Sequence, residues 1–290
     1  MKSFIVLLIC LSLTSLALPQ NLHILYTQNT NGVLDNCNCP SMPLGGMEKR
    51  ATFLSQFRAQ HANTLLFDSG DFFKFSENQE IDAKIAQAMH MLEYDAVNIG
   101  DQEFSDGGQF FNEAFRTHSL PLISTNLIWT RQMPEFVRPF RTIEIEGMNI
   151  LVLGALNAKG YNFYQRVYDD IEMKLVPAEN ALIDIYQQQS SMNKYDLVIL
   201  LSNLGLDEEQ RLAESLDFLD IILGGHSQHQ LEEPLIVNNT LIAQCGKNGQ
   251  YIGHLEIHMN EGKLTSHKNT LIPMELSIAD DESMLKLINE

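Results

Sequence analysis

Leu219-Asp220-Ile221-Ile222-Leu223-Gly224-Gly225-His226-Ser227-Gln228-His229 is the stretch on which the reading of this chain turns. Its short apolar run has the length and composition of a buried parallel strand. The run stops at two glycines, which let the backbone turn sharply and approach a ligand closely. Imidazole, hydroxyl, amide and imidazole then follow in four consecutive residues. In open α/β sheets, ligands collect beyond the carboxyl ends of strands, so the cluster is a candidate site.

Outward from this stretch the chain keeps a β-α rhythm. Toward the N-terminus, helix 207–216 precedes it, and strand Asp196 to Leu201 ends in Ser202-Asn203 after a helix at about 178–193. Thr142 to Ile145, Glu146-Gly147 and Asn149 to Ala155 read as a hairpin. Earlier still, strands Leu22 to Thr27, Thr64 to Phe67, Ala96 to Ile99 and Pro121 to Asn126 alternate with helices at about 47–61, 81–92 and 106–118. In the first helix, Met47, Ala51, Leu54 and Phe57 recur at helical spacing among Lys49, Arg50, Gln56 and Arg58. Toward the C-terminus come short strands at 235–237, 241–243, 252–258 and 264–271, and a helix at 281–288. The pattern predicts an α/β domain without an interdomain linker, followed by an extension with a short helix over 273–290.

The 290 residues are 44% hydrophobic, enough for a substantial core. Residues 1–17 join a basic start at Lys2 to a short apolar run and small residues at Ser15 and Ala17, the layout of a secretory signal peptide. A secreted or periplasmic protein is therefore expected, with no membrane span, because the run is shorter than the roughly 20 residues a spanning helix needs. The formal charge of −18 disfavours nucleic acid and anionic lipid as partners. Without Cys10, the cysteines Cys37, Cys39 and Cys245 are an odd set for an exported protein. Cys37-Asn38-Cys39-Pro40 reads either as a redox pair or soft-metal site, with Cys245 as a third candidate member, or as a loop staple; a bridge between thiols one residue apart would be strained. His254 and His258, in an alternating strand, are expected to face solvent, and Trp129, Tyr161, Phe163 and Tyr164 to pack under a loop rather than form a ligand rim.

Five strands end in polar sets: Asn29 with Asn31, Asp71, Asp101 with Gln102, Asn203, and His226 with Gln228. Each alone suits turn chemistry or a helix cap. Five together point to one edge where carboxylates, amides and an imidazole surround a metal.

Read in order, Thr27-Gln28-Asn29-Thr30-Asn31-Gly32, Gly45-Gly46 with Lys49-Arg50, Asp68-Ser69-Gly70-Asp71, Gly100-Asp101-Gln102-Glu103-Phe104, Leu201-Ser202-Asn203-Leu204-Gly205, Gly224-Gly225-His226-Ser227-Gln228 and Gly246-Lys247-Asn248-Gly249 form a connected series. The series resembles the calcineurin-like metallophosphoesterases of the secreted 5′-nucleotidase branch, over residues 22–272. The resemblance implies a four-layer α-β-β-α sandwich and a two-metal site that hydrolyses phosphomonoesters with a metal-activated water. The family's pattern puts Asp at 29, His at 31, a bridging Asp at 71, Asn at 101, His at 203, His at 226 and His or Gln at 228, with the catalytic His at 102. Here only Asp71, His226 and Gln228 match, while Asn29, Asn31, Asp101, Asn203 and Gln102 depart.

Losing a partner even behind the metal ligands commonly costs ~10–100-fold in metal affinity. A missing general acid or base removes a further ~10²–10⁴ in rate. The expectation is a domain with an eroded metal site and weak or lost hydrolysis, binding a phosphorylated small molecule or a protein partner. An oxygen-rich set suits a single hard cation, Mg²⁺, Mn²⁺ or Ca²⁺, held by Asp71, Asp101 and amide oxygens, with His226 as the imidazole at hand and His229 as a second candidate. The alternatives are an active phosphomonoesterase in which Asp101, Gln102 or Glu103 handles the proton or phosphate, and a thiol protein centred on Cys37 and Cys39.

Overall fold

The computed structural model describes residues 20–36, 43–260 and 262–290. The signal-peptide region and the Cys37–Cys39 loop lie outside the described residues.

The chain opens with β1 (Gln20–Thr27), α1 (Met47–Gln60), β2 (Thr64–Asp68), α2 (Gln79–Met91) and β3 (Ala96–Asn98). After a 3₁₀ turn at Gln102–Phe104 come α3 (Gly107–Thr117), β4 (Leu122–Ile123), β5 (Leu127–Trp129), β6 (Val137–Arg138), β7 (Phe140–Ile145) and β8 (Met148–Leu156). Then follow α4 (Ala158–Val167), β9 (Met173–Leu175), α5 (Ala178–Ser190), β10 (Leu197–Asn203), α6 (Leu206–Ser215) and β11 (Ile221–Gly224). The chain closes with β12 (Leu235–Val237), β13 (Thr240–Ala243), β14 (Tyr251–Asn260), β15 (Lys263–Pro273) and α7 (Glu282–Asn289).

One sheet runs β15-β14-β1-β2-β3-β4-β6 and the other β12-β13-β11-β10-β8-β7, with β5 and β9 paired separately. Strands β1 to β4 are mutually parallel in the first sheet, as are β8, β10, β11 and β13 in the second. Most of these parallel neighbours are joined by helical crossovers, which cover the outer faces, while β11 reaches β13 through the edge strand β12. The alternation along β10 shows the layering: Ile199 and Leu201 pack between the sheets with Leu22, Ile24 and Phe67, whereas Val198 and Leu200 pack outward with Leu182 and Leu212 of α5 and α6. A separate cluster under α1 to α4 and α7 closes the other face. The result is the four-layer α-β-β-α sandwich.

One expectation about surfaces changes, and two basic residues of α1 lie inside. Lys49 and Arg50 are buried, because Lys49 pairs with Asp280 ahead of α7 and the Arg50 guanidinium runs beneath Thr30 and Tyr94. His254 is half-buried, because Phe57 near the end of α1 covers that strip of sheet. Tyr161 and Tyr164 do pack inside, while Phe163 is exposed. Helix α4 was not foreshadowed by the periodicity; Asn157 starts it by accepting from the Lys159 N–H at 2.8 Å.

Candidate metal centre

The two sheets are tied at the end where their parallel strands finish. Ser69 donates to the Leu223 carbonyl at 2.7 Å and Asn98 to the Ala155 carbonyl at 3.0 Å, each across the sheets. Six of the ten non-glycine residues with left-handed backbone among those described stand at this edge: Asn29, Asn31, Asp71, His226, Gln228 and Asn248. Such conformations cost energy and concentrate where a site over-determines them.

Glu103 is the organiser. Its Oε2 accepts from the N–H groups of Gly100 at 2.6 Å and Asp71 at 3.1 Å, and its Oε1 from Phe72 at 2.8 Å and Phe73 at 3.1 Å. One carboxylate thereby fixes the loop after β2 to the loop after β3. Burial pushes its pKa well up, and the nearby Asp71 charge adds to this against the donors that pull it down. Gly100 is required beside it, since a Cβ there would stand 2.4 Å from Oδ1 of Asp71. Glu209 plays the same part beneath the opening motif. It accepts from the Gly225 N–H and from Gln244, and a Cβ on Gly224 would stand 2.2 Å from its carboxylate.

On this frame Asp71, Asp101 and His226 converge, with one ligand atom from each lying within 4.8 Å of the others. Nδ1 of His226 is 3.1 Å from Oδ1 of Asp101 and 3.5 Å from Oδ2 of Asp71. Neither oxygen receives an aligned hydrogen bond, so the contact is one of charge. The facing carboxylates, Asp101 foremost, hold the His226 pKa up at about 10. Burial and the Asp71 charge push the Asp101 carboxyl up in turn. Asp101 reaches this place because α4 presents Gly160 to it, where a Cβ would stand 2.3 Å from the carboxyl.

The amides divide by role. Asn29 turns its Oδ1 to the His226 N–H at 3.1 Å, which leaves Nδ2 rather than oxygen without a partner. Asn31 is spent at both ends, donating to Asn248 Oδ1 at 2.8 Å and accepting from Gln102 Nε2 at 3.1 Å. Asn203 is fully buried with both amide atoms unpaired. Gln228 stands at the rim, half-exposed. His229 bonds Ser227 at 3.0 Å and stays outside the cluster.

The residues present fit one divalent cation. Oδ2 of Asp71, Oδ1 of Asp101, Oε1 of Gln102 and Oδ1 of Asn203 are buried oxygens without hydrogen-bond partners at this edge. Carboxylate and amide oxygens with one imidazole form a mainly hard donor set. Metal binding there must displace any proton on Nδ1 of His226. Cys245 is buried between the sheets, its thiol donating to the Tyr26 carbonyl, and burial pushes its pKa to about 12; that is an inert environment, not a redox one.

Sequence reasoning missed Glu209 and Gly160, and gave Asn248 only as part of a motif without a role. A signal for Glu209 was present: it falls on the apolar stripe of α6 between Leu206 and Leu212.

Two stacked sheets with a metal-competent cluster at their strand ends have the layout of a metal-dependent phosphoesterase. No family model matches the sequence. The whole chain is 25% identical to the 5′-nucleotidase of Diplobatis ommata, covering 55% of that protein. Over 77% of its length it is 26% identical to the uncharacterized metallophosphoesterase YunD of Bacillus subtilis, covering 49% of it. The structure of a 5′-nucleotidase precursor from Thermus thermophilus superposes with a TM-score of 0.81 at 20% identity, over 93% of this chain and 58% of that one. In sequence and in fold the chain is thus similar to calcineurin-like metallophosphoesterases and 5′-nucleotidases. It spans about half the length of the curated relatives it matches.

Proposed function

We propose that this domain is exported and binds a phosphorylated small molecule at an eroded metal centre holding at most one divalent cation, with phosphomonoester hydrolysis weak or lost. The observation that carries the reading is the amide ladder Gln102–Asn31–Asn248. It occupies positions where the family resemblance calls for the catalytic histidine and a metal-binding histidine, and its members hydrogen-bond one another. An amide neither accepts nor gives a proton at neutral pH, so Gln102 cannot act as a general acid. The side chains that remain suit binding: Asp71, Asp101 and His226 would hold the cation, and the unpaired NH₂ groups of Asn29 and Asn203 can donate to phosphate oxygens. When bound, the cation would supply positive charge for the phosphate and polarise its oxygens.

The test is phosphate release from AMP and from an aryl phosphomonoester, with Mg²⁺, Mn²⁺, Ca²⁺ or Zn²⁺ added in turn, beside calorimetric titration of the same compounds. Binding without turnover above a chelated control is expected. Turnover that vanishes in Asp71→Ala would instead identify an active phosphomonoesterase with an altered metal set.

A further inference from the structure

We propose that His23, His254 and His61, with Glu256 beside them, form a second cation site, suited to a borderline transition-metal dication such as Zn²⁺ or Cu²⁺. The group lies on the helix-covered face of β1 and β14, at the C-terminal end of α1. His23 is six residues before Asn29 on an extended strand, which puts it roughly 20 Å from the strand-end cluster at about 3.3 Å per residue.

Nδ1 of His23 and Nε2 of His254 face each other at 3.0 Å. Two nitrogens each about 2.0–2.1 Å from one metal stand ~2.9–3.4 Å apart, from a right-angled to a tetrahedral arrangement. The pair is therefore already at a chelating separation, and a metal would replace the hydrogen now shared between them. The His61 ring lies 4.4 Å, centre to centre, from that of His23. Glu256 is directly opposite His23 in the strand pairing, so its side chain emerges on the same face. Turning the half-exposed His61 ring toward the pair supplies a third ligand, and Glu256 or water a fourth.

The surroundings favour such a site. The Phe57 ring packs against His23, His61 and His254 at 5.7, 4.4 and 4.9 Å and walls off one side. An apolar wall limits solvent access and restricts imidazole rotation. Burial first, then the imidazoles of His61 and His258 around His23 and of His23 and His61 around His254, outweigh the opposing Glu256 charge and keep both rings below the usual imidazole pKa, so both are neutral and ready to ligate. Nitrogen donors select zinc or copper over magnesium and calcium, which separates this site chemically from the oxygen-rich cluster.

The test titrates the full chain with Zn²⁺ by calorimetry and records the electron paramagnetic resonance of bound Cu²⁺. One ion is expected at this site, with hyperfine splitting from at least two nitrogens. Asp71→Ala should retain it, and His254→Ala should weaken it at least about tenfold. His61→Ala, at a half-exposed helix end, is the companion variant should His254→Ala fail to fold. Absence of binding, affinity unchanged in either histidine variant, or a Cu²⁺ spectrum without nitrogen coupling would overturn the proposal.

Discussion

Nδ1 of His226 stands 3.1 Å from Oδ1 of Asp101, although the two residues follow strands of different sheets. The sandwich is thus closed at its functional edge by a charge contact between its layers, and a cation entering there must compete with the imidazolium for the same carboxylates. Mn²⁺ is expected to raise the thermal unfolding midpoint of the wild-type domain. At a hundred times its dissociation constant it would add about 2.7 kcal/mol. Asp71→Ala should lose that increment; equal shifts in the two proteins would place the cation elsewhere.

Glu103 bears on stability more than on chemistry. Its carboxylate satisfies four backbone N–H groups inside the protein. Each buried donor left unpaired costs about 1–3 kcal/mol. Glu103→Ala should therefore lose at least ~3 kcal/mol in urea unfolding, and Glu103→Gln less, since one acceptor oxygen is kept. A loss below ~1 kcal/mol in the alanine variant would contradict the organiser role.

Gly160→Ala sets two effects against each other. In a helix interior alanine is favoured over glycine by about 1 kcal/mol, which is an upper bound for Gly160 in the first turn of α4. Here, though, its Cβ would stand 2.3 Å from the Asp101 carboxyl, and overpacking typically costs about 1–3 kcal/mol. The clash should win, so the variant is less stable and binds Mn²⁺ more weakly. Combining it with Asp101→Gly should relieve the clash, giving a stability change smaller than the sum of the single changes. Strict additivity would show that the two positions are independent.

Much of this architecture is legible in the chain because burial on both faces leaves continuous apolar strands such as Leu197–Leu201 and Ile221–Leu223, and turns mark their ends. The polar strand ends mark the site's edge for the same reason. What the individual side chains do there is another matter. An amide such as Asn29 or Asn31 can donate or accept, and only its partners, the His226 N–H, Asn248 and Gln102, decide which. Helix α4 escaped notice because Lys159-Gly160 in its first turn interrupts the apolar pattern. That same glycine is what admits Asp101. His254 departs from the solvent-facing expectation because a strand's alternation tells which residues share a face, not whether a helix end such as Phe57 covers it.

The protein should lose stability as pH rises through neutrality. Burial pushes Asp68 to about 6, Glu209 to about 7 and Asp82 to about 8, the last also through the neighbouring Asp106. Such a carboxyl holds its proton in the folded chain after the unfolded chain, with Glu near 4.5 and Asp near 3.8, has released it. Its contribution is complete below the unfolded pKa and is lost as pH rises to the folded one. At about 1.4 kcal/mol per unit, the Glu209 window from 4.5 to about 7 carries on the order of 3 kcal/mol. His254, lowered to about 4, acts in the opposite sense, but only below its unfolded value of 6.5. Urea midpoints should therefore fall between pH 6.5 and 8. Glu209→Gln, which keeps the shape of the neutral acid, should flatten the dependence between pH 5 and 7.5. Wild-type stability that climbs from pH 6.5 to 8 would mean that Glu209 and Asp82 are already ionised in the folded protein, held by the donors of Gln244 and Lys74.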